Sequence, residues 1–377
     1  MKNILLVSHY TDTPGVMDKL SLYFLKHNYS LVFALNPLNP KSSLKSVIKI
    51  DEREIKYKIF WPFQYIFEGI IFFIKYKFNI KKAIKFDLTV CFDPLSFFHA
   101  FLLKRSLKVG KIVYYNVDFS TRRFRNRIAN YIYLSLNKFA FRNCNYSFYL
   151  TENFIKNIDP NNKYRDKTFL LKHTININSI DKIIKKLPNS IAYAGNLSQT
   201  VDFTNLIKAL ELIKKEGINF TFDIYGEGYQ KEHLEDLICK SIIKDNVNFK
   251  GIVSNEILLK EMLPKYMIGV CPYITRKNDY VADNMFTGTD LTTKIVEYIG
   301  SGLPVVATRL YGAFYVIEKN KFGFLVYSPE EWYMAIKKLL LDKNSYKIYS
   351  NNTLNFAKNY DEEKVLTSVF NKILQDS

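Results

Sequence analysis

The sequence predicts an α/β protein made of two doubly wound parallel sheets that face a ligand cleft. Three observations favour this fold class. Short apolar runs, of the length of buried strands, alternate with longer segments of helical periodicity. The alternation reaches a polar stretch near residues 178–190 and then starts again. At 377 residues, the chain is long enough for two domains that each have a core.

The first half contains five predicted strands separated by helices. A helix of about a dozen residues is expected from Val16, because apolar side chains recur there at helical spacing. An apolar helix is expected from Pro94. Short runs rich in β-branched and aromatic residues predict the strands. These strands are Asn3–Ser8, Ser30–Asn36, Asp87–Phe92, Lys111–Val117 and Tyr146–Leu150.

The second half repeats the pattern, and helices are expected at Thr204–Gly217, at Thr292–Gly300 and from Pro329 onwards. We place residues 1–180 in an N-terminal domain and residues 181–377 in a C-terminal domain. The final helix, 355–377, could cross back to the first domain. The predicted strands are Ser190–Gly195, Asn219–Gly228, Val247–Gly251, Tyr266–Tyr273, Val305–Thr308 and Lys321–Val326.

The positive charge of the chain lies in its first half. The net charge is +18, and residues 1–200 hold 32 Lys and Arg against 13 Asp and Glu, whereas residues 201–377 hold 22 against 23. A lysine-rich composition would affect both halves. The asymmetry therefore predicts a polyanionic partner for the first half, either anionic lipid or nucleic acid.

No membrane-spanning helix is expected, because no stretch of about 20 residues is free of charged side chains. The most apolar segment, Ile59–Lys82, combines Trp61 and several Phe and Tyr with a Lys-rich end. This composition fits a segment that lies in the membrane interface, where each basic residue contributes about 1 kcal/mol. An aromatic-rich core helix is the alternative. The N-terminus resembles a first strand rather than a signal peptide.

The cysteines and histidines predict neither a metal site nor a redox site. Four cysteines and five histidines are scattered along the chain without the spacing of a zinc or dithiol motif. Free thiols in a reducing cytoplasm are therefore the expected state of the cysteines.

Five motifs of the second half occur in the order found in the C-terminal domain of group 1 GT-B glycosyltransferases. They are IAYAGNL, FDIYGEG, VNFKGIVSNEILLKEM, YMIGVCPY and KIVEYIGSGLPVVAT, between Ile191 and Thr308. Each motif alone is weak, but five in this order over about 120 residues resemble the family specifically. The first half resembles the family in outline, although IVYYNVDFS at Ile112–Ser120 is similar to a strand-plus-Asp motif of some capsule and xanthan-type transferases.

The resemblance implies a GT-B fold and a nucleotide sugar bound at the N-terminus of the helix Thr292–Gly300. A diphosphate suits this place, because free N–H groups and the positive end of the helix dipole face it. Glu297 would accept hydrogen bonds from the ribose hydroxyls, as the corresponding Glu does in the family, unless it is a surface-helix Glu. Lys294 would reach the diphosphate as a point charge. The other expected donor-site residues are Gly195, Gly226, Thr289, Asp290, Thr292 and Thr293.

The chain departs from the group 1 pattern at two places. Retaining members usually have a second Glu eight residues before Glu297, where this chain has Thr289 followed by Asp290. They also tend to have an Arg and a Lys after the first strand of this domain, where this chain has Asn196 and no nearby base. Lys294 with Thr292 and Thr293 could replace that phosphate clamp. The layout is more similar to xanthan-type inverting transferases, which leaves the anomeric outcome open.

Sugar transfer with inversion needs a base that deprotonates the acceptor hydroxyl. Asp12, Asp93 and Asp118 each follow a predicted strand, and Asp118 matches the family-like motif best. A helix N-cap is the alternative for each, above all for Asp93. His9 could contact the donor or act as the base, or be a satisfied loop histidine. The resemblance implies no bound metal or other cofactor, because GT-B enzymes typically meet the phosphate charge with helix N-termini and basic side chains.

A six-residue segment that begins four residues after Asp118 contains four arginines. On a helix they would spread over two adjoining faces. Arg in a chain that otherwise prefers Lys suggests phosphate recognition, and a lipid-linked diphosphate acceptor would fit it. A solvated charged face is the alternative. The arginines are Arg122, Arg123, Arg125 and Arg127.

We expect a glycosyltransferase that moves a hexose-type sugar from a nucleotide sugar, UDP-linked before GDP-linked, to a membrane-linked glycan or lipid in bacterial surface polysaccharide or lipooligosaccharide synthesis. Its expected place is cytoplasmic, peripheral on the inner membrane, with an anionic membrane surface as partner and no nucleic acid. One alternative is a nucleotide-sugar epimerase or hydrolase of the same architecture, although the first half offers few of the histidines and glutamates that such an enzyme needs around the sugar. Another is a basic nucleic-acid-binding protein, although no binding module is present.

Overall fold

The structure is a computed structural model that describes residues 2–10, 16–38, 44–50, 53–59, 64–79, 84–117, 119–150, 152–180, 185–274, 291–310 and 314–375. The chain divides into two compact units. The first unit contains residues 1–171 and 366–377, and the second contains residues 172–365. Among the helices of the described residues, none is long and apolar enough to cross a membrane.

The first unit is built on one eight-stranded sheet. Its strands are β1 Asn3–Tyr10, β2 Ser30–Pro37, β3 Ser46–Ile50, β4 Arg53–Tyr57, β5 Phe86–Cys91, β6 Val109–Asn116, β7 Tyr146–Tyr149 and β8 Thr168–Leu170. The order across the sheet is β4-β3-β2-β1-β5-β6-β7-β8. Its helices are α1 Val16–Lys26, α2 Gln64–Asn79, α3 Pro94–Leu102, α4 Arg127–Asn143 and α5 Glu152–Ile158.

The five strands predicted in the first half are present, and the prediction missed three more. Strands β3 and β4 form an antiparallel extension of the otherwise parallel sheet, and β8 adds the opposite edge. β4 reads REIKY and is mostly exposed, so it lacks the continuous apolar run of a buried parallel strand. Edge strands of this kind are stabilised by their pairing, which local sequence does not display.

The second unit contains a six-stranded, fully parallel sheet, as predicted. Its strands are β9 Ser190–Ala194, β10 Thr221–Tyr225, β11 Val247–Gly251, β12 Ile268–Cys271, β13 Val305–Thr308 and β14 Gly323–Val326. The order is β11-β10-β9-β12-β13-β14. Its helices are α6 Thr204–Lys215, α7 Lys231–Cys239, α8 Asn255–Ile257, α9 Thr293–Gly300, α10 Val316–Lys319, α11 Pro329–Leu341 and α12 Lys343–Ala357. A last helix, α13 Glu362–Gln375, begins in the second unit and ends in the first.

The helix α9 ends sharply because Gly302 adopts a left-handed conformation, with φ of +72°. Its N–H bonds the carbonyl of Ile299 at 3.1 Å, and the N–H of Leu303 bonds the carbonyl of Tyr298 at 2.9 Å. These two bonds are those of a Schellman motif, which satisfies the last carbonyls of a helix. The chain then enters the fully buried strand β13.

In each sheet the chain adds its first strands on one side and its later strands on the other, so the strand order reverses at one pair of strands. In the first unit β1 pairs with β5, and the chain has filled one side before it turns to the other. In the second unit β9 pairs with β12 in the same way. The carboxyl ends of parallel strands at such a switch point form the crevice in which doubly wound folds bind ligands.

Candidate functional site

The N-terminus of α9 lies at the switch point of the second sheet. Tyr298 of this helix accepts a hydrogen bond from the N–H of Ala194 at 2.8 Å and donates one to the carbonyl of Val270 at 3.3 Å, which ties α9 to β9 and β12. Thr292 is the N-cap residue, but its hydroxyl lies 2.7 Å from the Tyr273 hydroxyl and makes no capping bond. The first N–H groups of α9 therefore have no cap from this side chain, and the helix dipole favours an anion there.

Lys294 brings a positive charge to the same place. Its Nζ donates to the hydroxyl of Tyr193 at 3.0 Å and lies 4.4 Å and 5.2 Å from the ring centroids of Tyr193 and Tyr273. Within the described ranges, no carboxylate lies at ion-pair distance from this nitrogen. Burial lowers the pKa of Lys294, but Tyr193, Tyr273 and Cys271 together raise it by more, so the net shift is upward. The charge can therefore still be paired with an anion such as phosphate.

Gly195 lies against the Lys294 side chain, and Gly226 lies against the backbone of Gly195. Gly195 follows β9 with φ of +147°, and a Cβ there would lie 2.7 Å from Cε of Lys294. Gly226 follows β10 with φ of +142°, and a Cβ there would collide with the carbonyl oxygen of Gly195. Both glycines are thus required by close approach and by backbone conformation.

Glu297 is only 8% exposed, which excludes a surface-helix Glu. Its charge interacts electrostatically with the thiol of Cys271, the last residue of β12. Burial raises the pKa of the Cys271 thiol to about 12, while Lys294 lowers it and Glu297 raises it. Both charged residues of α9 therefore lie near the carboxyl end of β12.

His173 is a residue of this site that the sequence did not predict. Its Nδ1 lies 3.1 Å from the hydroxyl of Thr293, the first residue of α9. An imidazole consequently stands beside the N–H groups of the helix. His173 lies between β8 and β9 in the sequence, in a connection without a recognisable motif, so only the fold reveals its position.

The switch point of the first sheet holds His9, at the end of β1. Its Nδ1 lies 2.9 Å from Asp93 Oδ2 and its Nε2 lies 3.0 Å from Glu68 Oε1 of α2. Burial lowers the pKa of His9, but Asp93 and Glu68 raise it by more, and it lies well above its usual value. Although burial alone would raise the pKa of Asp93, the charge and hydrogen bond of His9 bring it well below the usual range.

This geometry leaves His9 without a free nitrogen to take a proton from an acceptor, so it does not support a base role for His9. Asp93 caps α3 by accepting hydrogen bonds from the N–H groups of Leu95 and Ser96, as the alternative interpretation held. The cluster is buried, since His9 and Glu68 side chains are 5% and 1% exposed. It is an internal ion cluster.

The arginine segment is exposed, but most of it is not helical. Only Arg127 belongs to α4, because Asn126 caps that helix by accepting from the N–H groups of Ile128 and Ala129. The prediction that the arginines spread over two helix faces is therefore wrong. The residues Arg122, Arg123 and Arg125 precede the cap in a turn-rich segment.

Five predicted site residues lie outside the described residues, and their roles stay predictions. They are the candidate bases Asp12 and Asp118, the interfacial Trp61, and Thr289 with Asp290 from the donor region.

Comparison with known proteins finds a family model that matches most of the second unit. Residues 188–342 match the family model Glycosyl transferases group 1. The chain is 24% identical to an uncharacterised glycosyltransferase of Methanocaldococcus jannaschii, over 67% of this chain and 64% of that protein. It is 27% identical to the GtfA subunit of the UDP-N-acetylglucosamine–peptide N-acetylglucosaminyltransferase of Streptococcus pneumoniae, over 50% of this chain and 35% of that one. The chain thus spans less than two thirds of these relatives.

Solved structures show the same fold over the whole chain. Sucrose-phosphate synthase of Thermosynechococcus elongatus has a TM-score of 0.68 at 14% identity and covers 100% of both chains. Anabaena HepE in complex with UDP-glucose has a TM-score of 0.66 at 13% identity and covers 99% of each. The predicted GT-B fold class and the resemblance to group 1 glycosyltransferases are confirmed.

Proposed function

We propose that this chain transfers a hexose-type sugar from a UDP-sugar to a membrane-linked glycan or lipid, because it has a GT-B fold and residues 188–342 match the family model of group 1 glycosyltransferases. The matched relatives support the donor, since the pneumococcal relative is named for UDP-N-acetylglucosamine and HepE was solved with UDP-glucose. The observation that carries the proposal is the position of Lys294 beside the N-terminus of α9, at the switch point of the second sheet.

In the proposed reaction, the acceptor hydroxyl attacks the anomeric carbon while the bond from that carbon to the diphosphate oxygen breaks. The diphosphate leaves with the electron pair, and the hydroxyl proton passes to a base. Lys294 and the N–H groups of α9 stabilise the charge that grows on the leaving diphosphate. Glu297 binds the ribose hydroxyls, as the family resemblance implies. Asp118 remains the proposed base for an inverting reaction.

The acceptor is proposed to bind on the first unit. The exposed arginines that follow β6 suit a lipid-linked phosphate, because the guanidinium fork matches phosphate oxygens. A role at the inner face of a bacterial membrane, in surface glycan synthesis, is consistent with this acceptor.

Nucleotide binding tests the donor site most directly. We expect UDP to stabilise the protein more than GDP, CMP or ADP does in a thermal unfolding assay. At a concentration of a hundred times its Kd, UDP should stabilise the folded state by about 2.7 kcal/mol. The variant Glu297→Gln should lose this stabilisation, whereas Glu211→Gln on α6 of the same unit should keep it. Absence of stabilisation by any of the four nucleotides at millimolar concentration would contradict the proposal.

Transfer itself is tested with UDP-glucose and UDP-N-acetylglucosamine against extracted bacterial lipids. We expect labelled sugar to move into the lipid phase with one of these donors. Release of free sugar without transfer would indicate a hydrolase instead.

A further inference from the structure

We propose that the helix layer formed by α2, α3 and α4 of the first unit is a docking surface for an anionic lipid bilayer. The inference uses only the first unit and does not depend on the donor chemistry of the second. Helix α3 packs between α2 and α4. For example, Phe98 and Phe101 of α3 lie with their ring centroids 5.8 and 5.2 Å from that of Phe139 of α4.

Helix α2 exposes a row of apolar side chains to solvent. Its solvent side presents Ile66, Ile70, Ile74 and Phe78, which are between 44% and 85% exposed. These residues recur every fourth position and so form one stripe along a helix about 24 Å long. In the part of the chain that the structure describes, this stripe is covered by no other segment.

The buried side of α2 carries the polar groups and fixes this orientation. Gln64 donates to the carbonyl of Pro37 at 2.8 Å, and Glu68 is bound by His9 inside the ion cluster. A rotation of the helix that hid the isoleucines would bring a carboxylate out of its ion pair. The outward apolar stripe is therefore held by the interior of the unit.

Helix α4 also exposes apolar side chains next to basic residues. Its first turns expose Ile128, Tyr131 and Ile132, directly after the arginine segment. Residues 119–151 contain six Lys and Arg and no Asp or Glu. Residues 69–86, which include most of α2, contain five Lys and no acidic residue.

The combination favours a bilayer over other polyanions and over a protein. Aliphatic side chains flanked by basic residues insert between acyl chains while the cations meet lipid phosphates. Nucleic acid would be recognised by basic side chains with stacking aromatics, whereas three of the four stripe residues are isoleucines, which cannot stack on bases. A protein partner would not call for two helices devoid of exposed carboxylates.

Vesicle flotation of the full chain tests the surface. We expect binding to vesicles of phosphatidylglycerol and phosphatidylcholine at least tenfold above binding to phosphatidylcholine alone. The double variant Ile70→Gln, Ile74→Gln should lower this binding at least tenfold. A control with two equally exposed isoleucines of the second unit, Ile242→Gln and Ile348→Gln, should change it less than twofold.

Three results would overturn the proposal. One is absence of vesicle binding by the unaltered chain, and another is equal loss in the test and control variants. The third is a dimer in sedimentation equilibrium that Ile70→Gln, Ile74→Gln dissociates, since a second copy would then occupy the surface. Urea denaturation shows whether each variant is folded, and UDP binding, measured in parallel, separates failure of this surface from failure of the proposed donor site.

Discussion

The switch points of the two sheets each hold a buried or half-buried cation, but the two cations are compensated differently. In the first unit, His9 has a carboxylate at each ring nitrogen, 2.9 and 3.0 Å away. In the second unit, the neighbours of Lys294 are the hydroxyl and ring of Tyr193 and the ring of Tyr273, with no carboxylate at ion-pair distance in the described ranges.

This difference separates a structural ion cluster from a ligand site. A cation already paired with two carboxylates has nothing to gain from an anionic ligand, whereas a cation held by aromatic faces retains its attraction for one. The crevice of the first unit thus holds a closed ion cluster, whereas that of the second unit keeps a cation without a carboxylate partner in the described ranges, as the proposed diphosphate site requires. Four changes test this comparison, beginning with the largest expected effect.

Removal of a carboxylate from the closed cluster should be the most damaging change. Asp93→Ala leaves His9 buried beside only one counter-ion, and we expect a loss of about 3–5 kcal/mol in the free energy of unfolding, measured by urea denaturation. Asp342→Ala is the matched control, because Asp342 caps α12 with the same set of bonds and has no histidine partner. Equal losses in the two variants would mean that Asp93 acts only as a cap.

Removal of the open cation should affect binding and spare stability. We expect Lys294→Met to weaken UDP binding by about 10- to 100-fold, which corresponds to about 1.4–2.7 kcal/mol, in isothermal titration calorimetry. Its unfolding free energy should stay unchanged or rise, because no counter-ion is left unpaired. Lys208→Met, on the exposed side of α6, should bind UDP normally. A stable Lys294→Met variant with full UDP affinity would remove Lys294 from the donor site.

The closed cluster should also give the first unit a pH dependence. The pKa of His9 is raised in the native state, so its protonation stabilises the fold. This stabilisation is complete below about pH 6.5, the ordinary histidine pKa, and is lost as the pH rises through the higher native value. Urea denaturation between pH 6 and pH 10 should show the decline, and His9→Gln should flatten it. An identical slope in both proteins would contradict the assignment.

The contact of His173 with Thr293 should have the smallest effect. Thr293→Val removes a hydroxyl that lies 3.1 Å from the imidazole, and we expect UDP affinity to fall about threefold, as for one modest hydrogen bond. Thr293→Ser keeps the hydroxyl and should restore the affinity. Full UDP affinity in Thr293→Val would contradict a role of the hydroxyl.

The sequence alone determined most of the second unit. Five of its six strands are almost fully buried, β11 being the half-exposed exception, and its motifs place Gly195, Gly226, Lys294 and Glu297 near one another in the structure. Such strands are legible because both faces of a parallel sheet are buried. The unequal charge of the two halves was likewise readable from composition. None of these features depends on long-range pairing for its recognition.

Only the tertiary structure showed which charged groups are paired with one another inside the molecule. Glu68 sits 59 residues from His9 in the sequence and reads as an interruption of an apolar helix, yet it is bound to that histidine and turns the isoleucines of α2 outward. His173 reaches Thr293 across 120 residues. Local periodicity cannot show such pairs, because the energy of a buried ion depends on the partners and dielectric that folding brings to it.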